Sequence, residues 1–218
     1  MKYGKGIVGV GSDYLGRYRV FDICLSELIM PEKSKIHYEV SNSIAFNWNQ
    51  MCREVLRIDY QWLWIIGDDH IFNKNILIAL LKHDVDVVVP ICLQRSEPHL
   101  PFIYKTREDG YEPLGFDFLK NKKGLIDITG YCTSNAGMLI KRHVLEKIDA
   151  PWFENDTHDK EVLREDLIFC EKLKPNNFRL YMDLEFPMGH IVQRAVWPVR
   201  DAEYEYSHKY TNTDTIFN

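Results

Sequence analysis

Apolar residues along this chain fall into two kinds of segment: short unbroken runs, and longer stretches where they recur every three or four positions. The runs predict strands covered on both faces, and the longer stretches predict amphipathic helices. The glycine-punctuated run Gly6–Gly11 predicts a buried first strand that ends in a loop at Ser12 and Asp13, and Lys35–Val40 predicts a second strand. From Ser41, a suitable N-cap, Ile44, Ala45, Trp48, Cys52, Val55 and Leu56 recur at helical spacing, the clearest amphipathic helix in the chain. Trp62–Ile66 predicts a strand buried on both faces, which delivers Gly67, Asp68, Asp69 and His70 at its carboxyl end. Asn73 then caps a predicted helix through Leu81, and Val85–Val89 forms the next strand.

Strand and helix alternating in this way predict an α/β fold with a central, mostly parallel sheet flanked by helices, in which ligands bind beyond the carboxyl ends of the strands. Between Gln94 and Thr129 prolines and glycines break the pattern, and Asp109-Gly110 between aromatic flanks predicts a hairpin turn. This region is expected to be an insertion, partly mobile, on the acceptor side. A strand at Gly137–Ile140, helices at Arg142–Ile148 and Arg164–Leu173, and a last strand at Arg179–Met182 complete the pattern. The expected organisation is one domain over 1–197, with residues 94–130 inserted, and a polar, tyrosine-rich surface tail over 198–218.

With 218 residues and 45% of them hydrophobic, the chain is long enough to bury one real core and needs no second domain. A formal net charge of -5 excludes a general basic field of the kind that draws proteins onto nucleic acid, though not a local basic patch. Five scattered cysteines, odd in number and never spaced Cys-x-x-Cys, indicate neither a disulfide framework nor a zinc knuckle. Met1–Gly11 has no apolar core of signal-peptide length, and no stretch approaches the roughly 20 apolar residues of a membrane span. A cytoplasmic protein without a membrane span is therefore expected.

Candidate chemistry concentrates at the end of the third strand. Two carboxylates and an imidazole on one rigid strand tip repel themselves unless a cation sits among them, and a divalent metal there would bridge the diphosphate of a nucleotide. Equally, aspartates often simply begin loops after strands. Glu165 and Asp166 at a predicted helix start either complement the helix dipole or supply a general base. Gly11 and Ser12 past the first strand, and Arg53 on the facing helix, are candidates for contacting the nucleotide and its phosphates. Trp152 offers either an apolar platform for a sugar ring or ordinary packing, and Cys170, facing the core beside Leu167 and Leu173, is expected to pack.

Several segments in order resemble the GT-A glycosyltransferases, nucleotide-sugar enzymes with an Asp-x-Asp or Asp-x-His motif at a strand end. They are the helix ending near Arg53, the strand into Asp68-Asp69-His70, Asn135–Ile140, Pro151-Trp152-Phe153 ahead of Glu165–Cys170, and the closing Gly189-His190-Ile191. The resemblance spans roughly residues 7–190 and implies a GT-A-type, Rossmann-like single domain. It implies metal or ribose binding by Asp68 and His70, with Asp69 between them, completion of the metal site by His190, and Asp166 as the base of an inverting transfer. His70 stands where many members have aspartate, and imidazole suits Mn²⁺ better than Mg²⁺, so Mn²⁺ is the expected cofactor, with Mg²⁺ second. The resemblance thus implies metal-dependent transfer of a hexosyl or pentosyl group from a nucleoside-diphosphate sugar, UDP-sugar favoured, to an acceptor hydroxyl. The acceptor stays open among a glycan, a lipid-linked sugar, a protein and a modified nucleic-acid base. Competing readings are a retaining transferase of the same fold, a sugar nucleotidyltransferase and a non-catalytic nucleotide-sugar-binding module.

Overall fold

The computed structural model describes residues 3–12, 18–108, 110–154, 165–192, 195–200 and 206–211. The chain begins with β1 (Ile7–Ser12), α1 (Arg19–Glu27), β2 (Lys35–Val40), α2 (Ile44–Arg57), β3 (Trp62–Gly67), β4 (His70–Ile71), α3 (Ile76–Lys82) and β5 (Val87–Pro90). Next come β6 (Ile103–Arg107), β7 (Gly110–Pro113), a 3₁₀ turn (Phe116–Leu119), β8 (Leu125–Asp127) and β9 (Cys132–Thr133). The last elements are β10 (Leu139–Lys141), α4 (Arg142–Lys147), α5 (Glu165–Leu173), β11 (Leu180–Asp183), β12 (Gly189–Ile191), β13 (Ala195–Arg200) and β14 (Tyr206–Thr211).

Seven strands form the central sheet in the order β2-β1-β3-β10-β5-β11-β8. β2, β1, β3, β5 and β11 share one direction, while β10 and β8 run against them. The fold is thus mixed α/β with a mostly parallel sheet flanked by helices. All six residues of β1 and five of the six of β3 are buried, as expected of strands covered on both faces. The glycines of β1 let α2 approach closely: a Cβ on Gly9 would stand 2.4 Å from the Met51 sulfur, and one on Gly11 2.5 Å from the Trp48 ring. The C-terminal turn of α2 is closed by Arg142, whose guanidinium donates to the carbonyls of Val55, Leu56 and Tyr60.

Several boundaries differ from the sequence expectation, each for a local reason. The cap of α2 is Ser43, whose hydroxyl accepts from Phe46 N (3.2 Å), while Ser41 instead accepts from Ser43 N and donates to Asn47. Asn73 accepts from Asn75 N in a turn ahead of α3 rather than capping it. Helix α1 was not expected; its buried stripe of Val20, Phe21, Cys24 and Leu25 has helical spacing, but its N-cap Tyr18 makes no side-chain capping bond. The expected hairpin is present as β6 and β7, paired Arg107 with Gly110; Asp109 itself lies outside the described residues. Within the region expected as an insertion, β8 extends the central sheet at its edge beside β11. Of the expected surface tail, Pro198–Arg200 complete β13 and Tyr206–Thr211 form β14, in a second sheet ordered β14-β13-β12-β4. Among the described residues no helix is long and apolar enough to cross a membrane. All five cysteines are buried and free.

Candidate functional site

Strand order reverses at β1: β2 lies on one side of it, and the chain crosses over to place β3 on the other. At such a point the two crossover connections leave on opposite faces, which opens a crevice beyond the carboxyl ends of the two central strands. Gly11 pairs with Gly67, so Ser12 and Asp68 leave the sheet side by side at this crevice. Ser12 is 4% exposed, and its hydroxyl is buried with no hydrogen-bond partner among the described residues.

Beyond Gly67 the chain turns tightly into β4, and a Cβ at Gly67 would lie 2.7 Å from Asp69 Oδ1 and 3.1 Å from the His70 ring. The absence of a side chain at Gly67 thus lets Asp69 and His70 fold back over the strand tip. β4 pairs antiparallel with β12, with His190 directly across from His70, and the two imidazoles stack with centroids 4.7 Å apart. Ile191 N donates to Asp69 O (2.7 Å), fixing the same junction through the main chain. A strand pair between segments 120 residues apart in sequence therefore brings the late histidine onto the acidic strand end.

The proton positions follow from the acceptors. A carbonyl only accepts, so His70 Nδ1 donates to Gly67 O (3.2 Å) and His190 Nδ1 donates to Leu93 O (2.9 Å). Each ring then presents Nε2 inward. His190 Nε2 lies 3.2 Å from Asp69 Oδ2, and His70 Nε2 is buried with no hydrogen-bond partner among the described residues. Burial by itself would pull the His70 imidazole down, but the Asp69 carboxylate at 3.1 Å outweighs it and pushes the ring up to about 10. Burial, with the charge of His70 adding to it, leaves His190 below its ordinary value despite the Asp69 carboxylate beside it. Asp69 would be raised by burial, yet the two imidazoles hold it well below the usual carboxylate range. Arg95, just past β5, adds an ion pair to Asp69 Oδ2 at 3.2 Å.

An orphaned, buried imidazole nitrogen and a second Nε2 facing a carboxylate, each with its other nitrogen tied to a carbonyl, are features of histidines oriented to ligate a metal. Asp69, His70 and His190 are thus suited to hold a divalent cation. Cys92 belongs to the same cluster: a donor atom from each of His70, Cys92 and His190 lies within 4.8 Å of the others, and all three residues are buried.

The other expected residues are distributed differently. Asp68 is half-buried beside this group. Met138 O accepts from Ile65 N, so the chain ahead of the antiparallel β10 runs to the same sheet edge, and Asn135 there donates to Glu165 (3.4 Å). Asp166 is 5% exposed, and its Oδ1 accepts from Leu167 N at the start of α5. Arg53 is exposed and turned along its own helix to Gln50 (2.7 Å). Trp152 is 5% exposed, and its indole N–H donates to Leu145 O (2.9 Å). Its burial and this bond fit the packing alternative. Cys170 packs against Thr133, in keeping with its spacing.

Cys92 and Arg95 were missed from the sequence. Both follow the carboxyl end of β5, the next parallel strand, where the α/β ligand rule itself would have directed attention.

No protein-family model matches the chain, and no curated protein matches it. Among solved structures, it is similar to A197 from STIV, with a TM-score of 0.61, 17% identity, and 88% of each chain covered. It is less similar to S. aureus TarS 1-349 in complex with UDP-GlcNAc (TM-score 0.45, 12% identity, 83% of this chain and 56% of that one). A UDP-glucose pyrophosphorylase complexed with UDP-glucose gives a TM-score of 0.40 at 10% identity, over 85% of this chain and 63% of that one. The likeness to A197 is one of fold, and the chain covers less than two thirds of the other two.

Proposed function

We propose that this protein is a metal-dependent glycosyltransferase of GT-A type that uses a nucleoside-diphosphate sugar. Its chief support is the junction at the β1 and β3 tips, where Asp69, His70 and His190 converge beside the switch-point crevice with two Nε2 atoms presented inward. A divalent cation held there, Mn²⁺ on the carboxylate and imidazole donors taken alone, would neutralise the charge that grows on a departing diphosphate.

The chain's own groups fill the remaining roles. Ser12, with its buried and unpartnered hydroxyl, faces the nucleotide, and Gly11 and Asp68 line the same edge. Arg95, half exposed beside Asp69, offers a guanidinium to a phosphate oxygen. Asp166 is the base that takes the acceptor hydroxyl's proton, with Glu165 beside it held by Asn135. Attack in a single displacement inverts the anomeric carbon.

The test is thermal denaturation of the full chain with UDP, GDP, ADP and CMP, each with and without Mn²⁺. Stabilisation by one nucleoside diphosphate that requires the metal is expected, because both occupy one site. No metal-dependent shift with any nucleotide would overturn the reading. Pyrophosphate release from a nucleoside triphosphate and a sugar 1-phosphate would reassign the chain as a nucleotidyltransferase.

A further inference from the structure

We infer that Cys92 is a metal ligand, and that with His70 and His190 it forms a nitrogen-and-sulfur site that takes Zn²⁺ in preference to Mn²⁺. The inference rests on the reading that a cation sits between the two histidines, and goes beyond it by adding a donor that changes which cation that is.

A buried cysteine is ordinarily a small hydrophobe. Three observations set Cys92 apart. Its sulfur belongs to a group of donor atoms, one from each of three residues, that lie within 4.8 Å of one another. Zn–N bonds of about 2.0 Å and Zn–S bonds of about 2.3 Å in a tetrahedron place neighbouring donors roughly 3.5 Å apart, so a contraction of about an ångström closes the set. Second, His70 Nε2 is buried, at a residue 5% exposed, and has no hydrogen-bond partner among the described residues, which leaves a polar atom unsatisfied on one of the three side chains. Third, among the described residues the Cys92 thiol makes a long contact to Leu93 O at 3.8 Å and otherwise interacts with the His70 imidazole, the group with which it would share a cation.

The backbone holds these donors in place. Ile91 N donates to Asp183 O and Ile91 O accepts from Met188 N, while Cys92 O accepts from Phe102 N. The Leu93 carbonyl, one residue on, orients His190. One short segment therefore supplies both the thiol and the acceptor that sets the tautomer of a histidine ligand, the role of an outer-shell group in a built metal site. Asp69 Oδ2 lies 3.2 Å from His190 Nε2 and is the nearest carboxylate oxygen named beside the three donors, a candidate for a fourth, oxygen ligand. Thiolate and imidazole donors select Zn²⁺ over the oxygen-preferring Mn²⁺. Binding releases the thiol proton to solvent as the Zn–S bond forms, with no change of oxidation state.

Cobalt(II) serves as a spectroscopic stand-in for zinc in the full chain. One equivalent is expected to produce a near-ultraviolet thiolate-to-cobalt charge-transfer band, which Zn²⁺ abolishes and excess Mn²⁺ does not. Cys92→Ser is expected to lose the band and to weaken Zn²⁺ roughly 100-fold or more, while Cys24→Ser, at a buried cysteine elsewhere, retains both. If Cys92→Ser fails to fold, X-ray absorption of the zinc-loaded wild-type chain decides, with one sulfur scatterer at about 2.3 Å expected. A shell of nitrogen and oxygen alone, or a charge-transfer band that survives in Cys92→Ser, overturns the assignment and leaves the thiol as packing. A Cys92-dependent band without any nucleotide-linked stabilisation would uphold the ligand set and sink the transferase reading. Nucleotide-linked stabilisation by Mn²⁺ with no band would do the reverse.

Discussion

Asn49 ties the helix that covers β1 to the segment leading into α5. It is 7% exposed; its Nδ2 donates to Ala45 O (2.7 Å) and Phe153 O (2.5 Å), and its Oδ1 accepts from Trp152 N (2.9 Å) and Phe153 N (3.3 Å). Asn49→Leu keeps the volume and removes both polar atoms. Ala45 O retains the main-chain partner that a helix interior provides, whereas two N–H groups and one carbonyl of Trp152 and Phe153 lose theirs inside the core. Each such orphan costs about 1–3 kcal/mol. With partial relaxation, a loss of about 3–5 kcal/mol is expected, a large share of the roughly 5–15 kcal/mol that stabilises a typical domain. At about 2–4 °C per kcal/mol for a chain of this size, Tm should fall by about 6–20 °C. Urea unfolding followed by tryptophan fluorescence measures the loss as a lower midpoint at unchanged slope. Asn49→Asp separates the parts: it keeps the acceptor for both N–H groups but sets a carboxylate against two carbonyls, so it too should destabilise. A change within about 1 kcal/mol in Asn49→Leu would show that water or local rearrangement satisfies the 152–153 backbone, and the clamp would carry no weight.

Gly67→Ala should weaken divalent-metal binding roughly 10- to 100-fold with only modest loss of stability, because its Cβ would push on Asp69 and His70; isothermal titration with unchanged affinity would contradict this. Asp166→Asn should retain nucleotide-linked stabilisation while transfer falls at least about 100-fold, as expected when only proton removal is damaged; full turnover would exclude Asp166 as the base. For pH, the Lys35 hydrogen bond, aided by Arg57, holds Glu54 below its ordinary value of 4.5. A depressed carboxyl contributes stability above its unfolded value and loses it as pH falls through the folded one. Glu54→Gln should therefore cost up to about 1 kcal/mol near neutrality, and the difference from wild type should vanish well below pH 4. A difference that persists in acid would assign the loss to packing.

Local pattern alone determined the central strands and the helices that cover them, while α1 and the strands of the second sheet did not show in it. Unbroken apolar runs such as Trp62–Ile66 have only one way to cover both faces, and the spacing from Ile44 to Leu56 has only one face to bury. The acidic strand end was equally legible, because Gly67–His70 follows a strand whose carboxyl end must face a crevice. The pairing of His190 with His70 was carried in the sequence only by family resemblance, since nothing local in Gly189–Ile191 selects β4 as its partner. Cys92 and Arg95 were illegible for a related reason: a thiol or guanidinium acquires chemical meaning from what stands opposite it, and the order of strands in the sheet decides that. Trp152 shows the converse, since its sequence context left platform and packing both open, and its burial comes only with the tertiary bonds to Leu145 and Asn49. Sequence periodicity sets burial one residue at a time, whereas a site requires groups distant along the chain to meet at ångström range, and only the tertiary pairing of β3, β4, β5 and β12 supplies that.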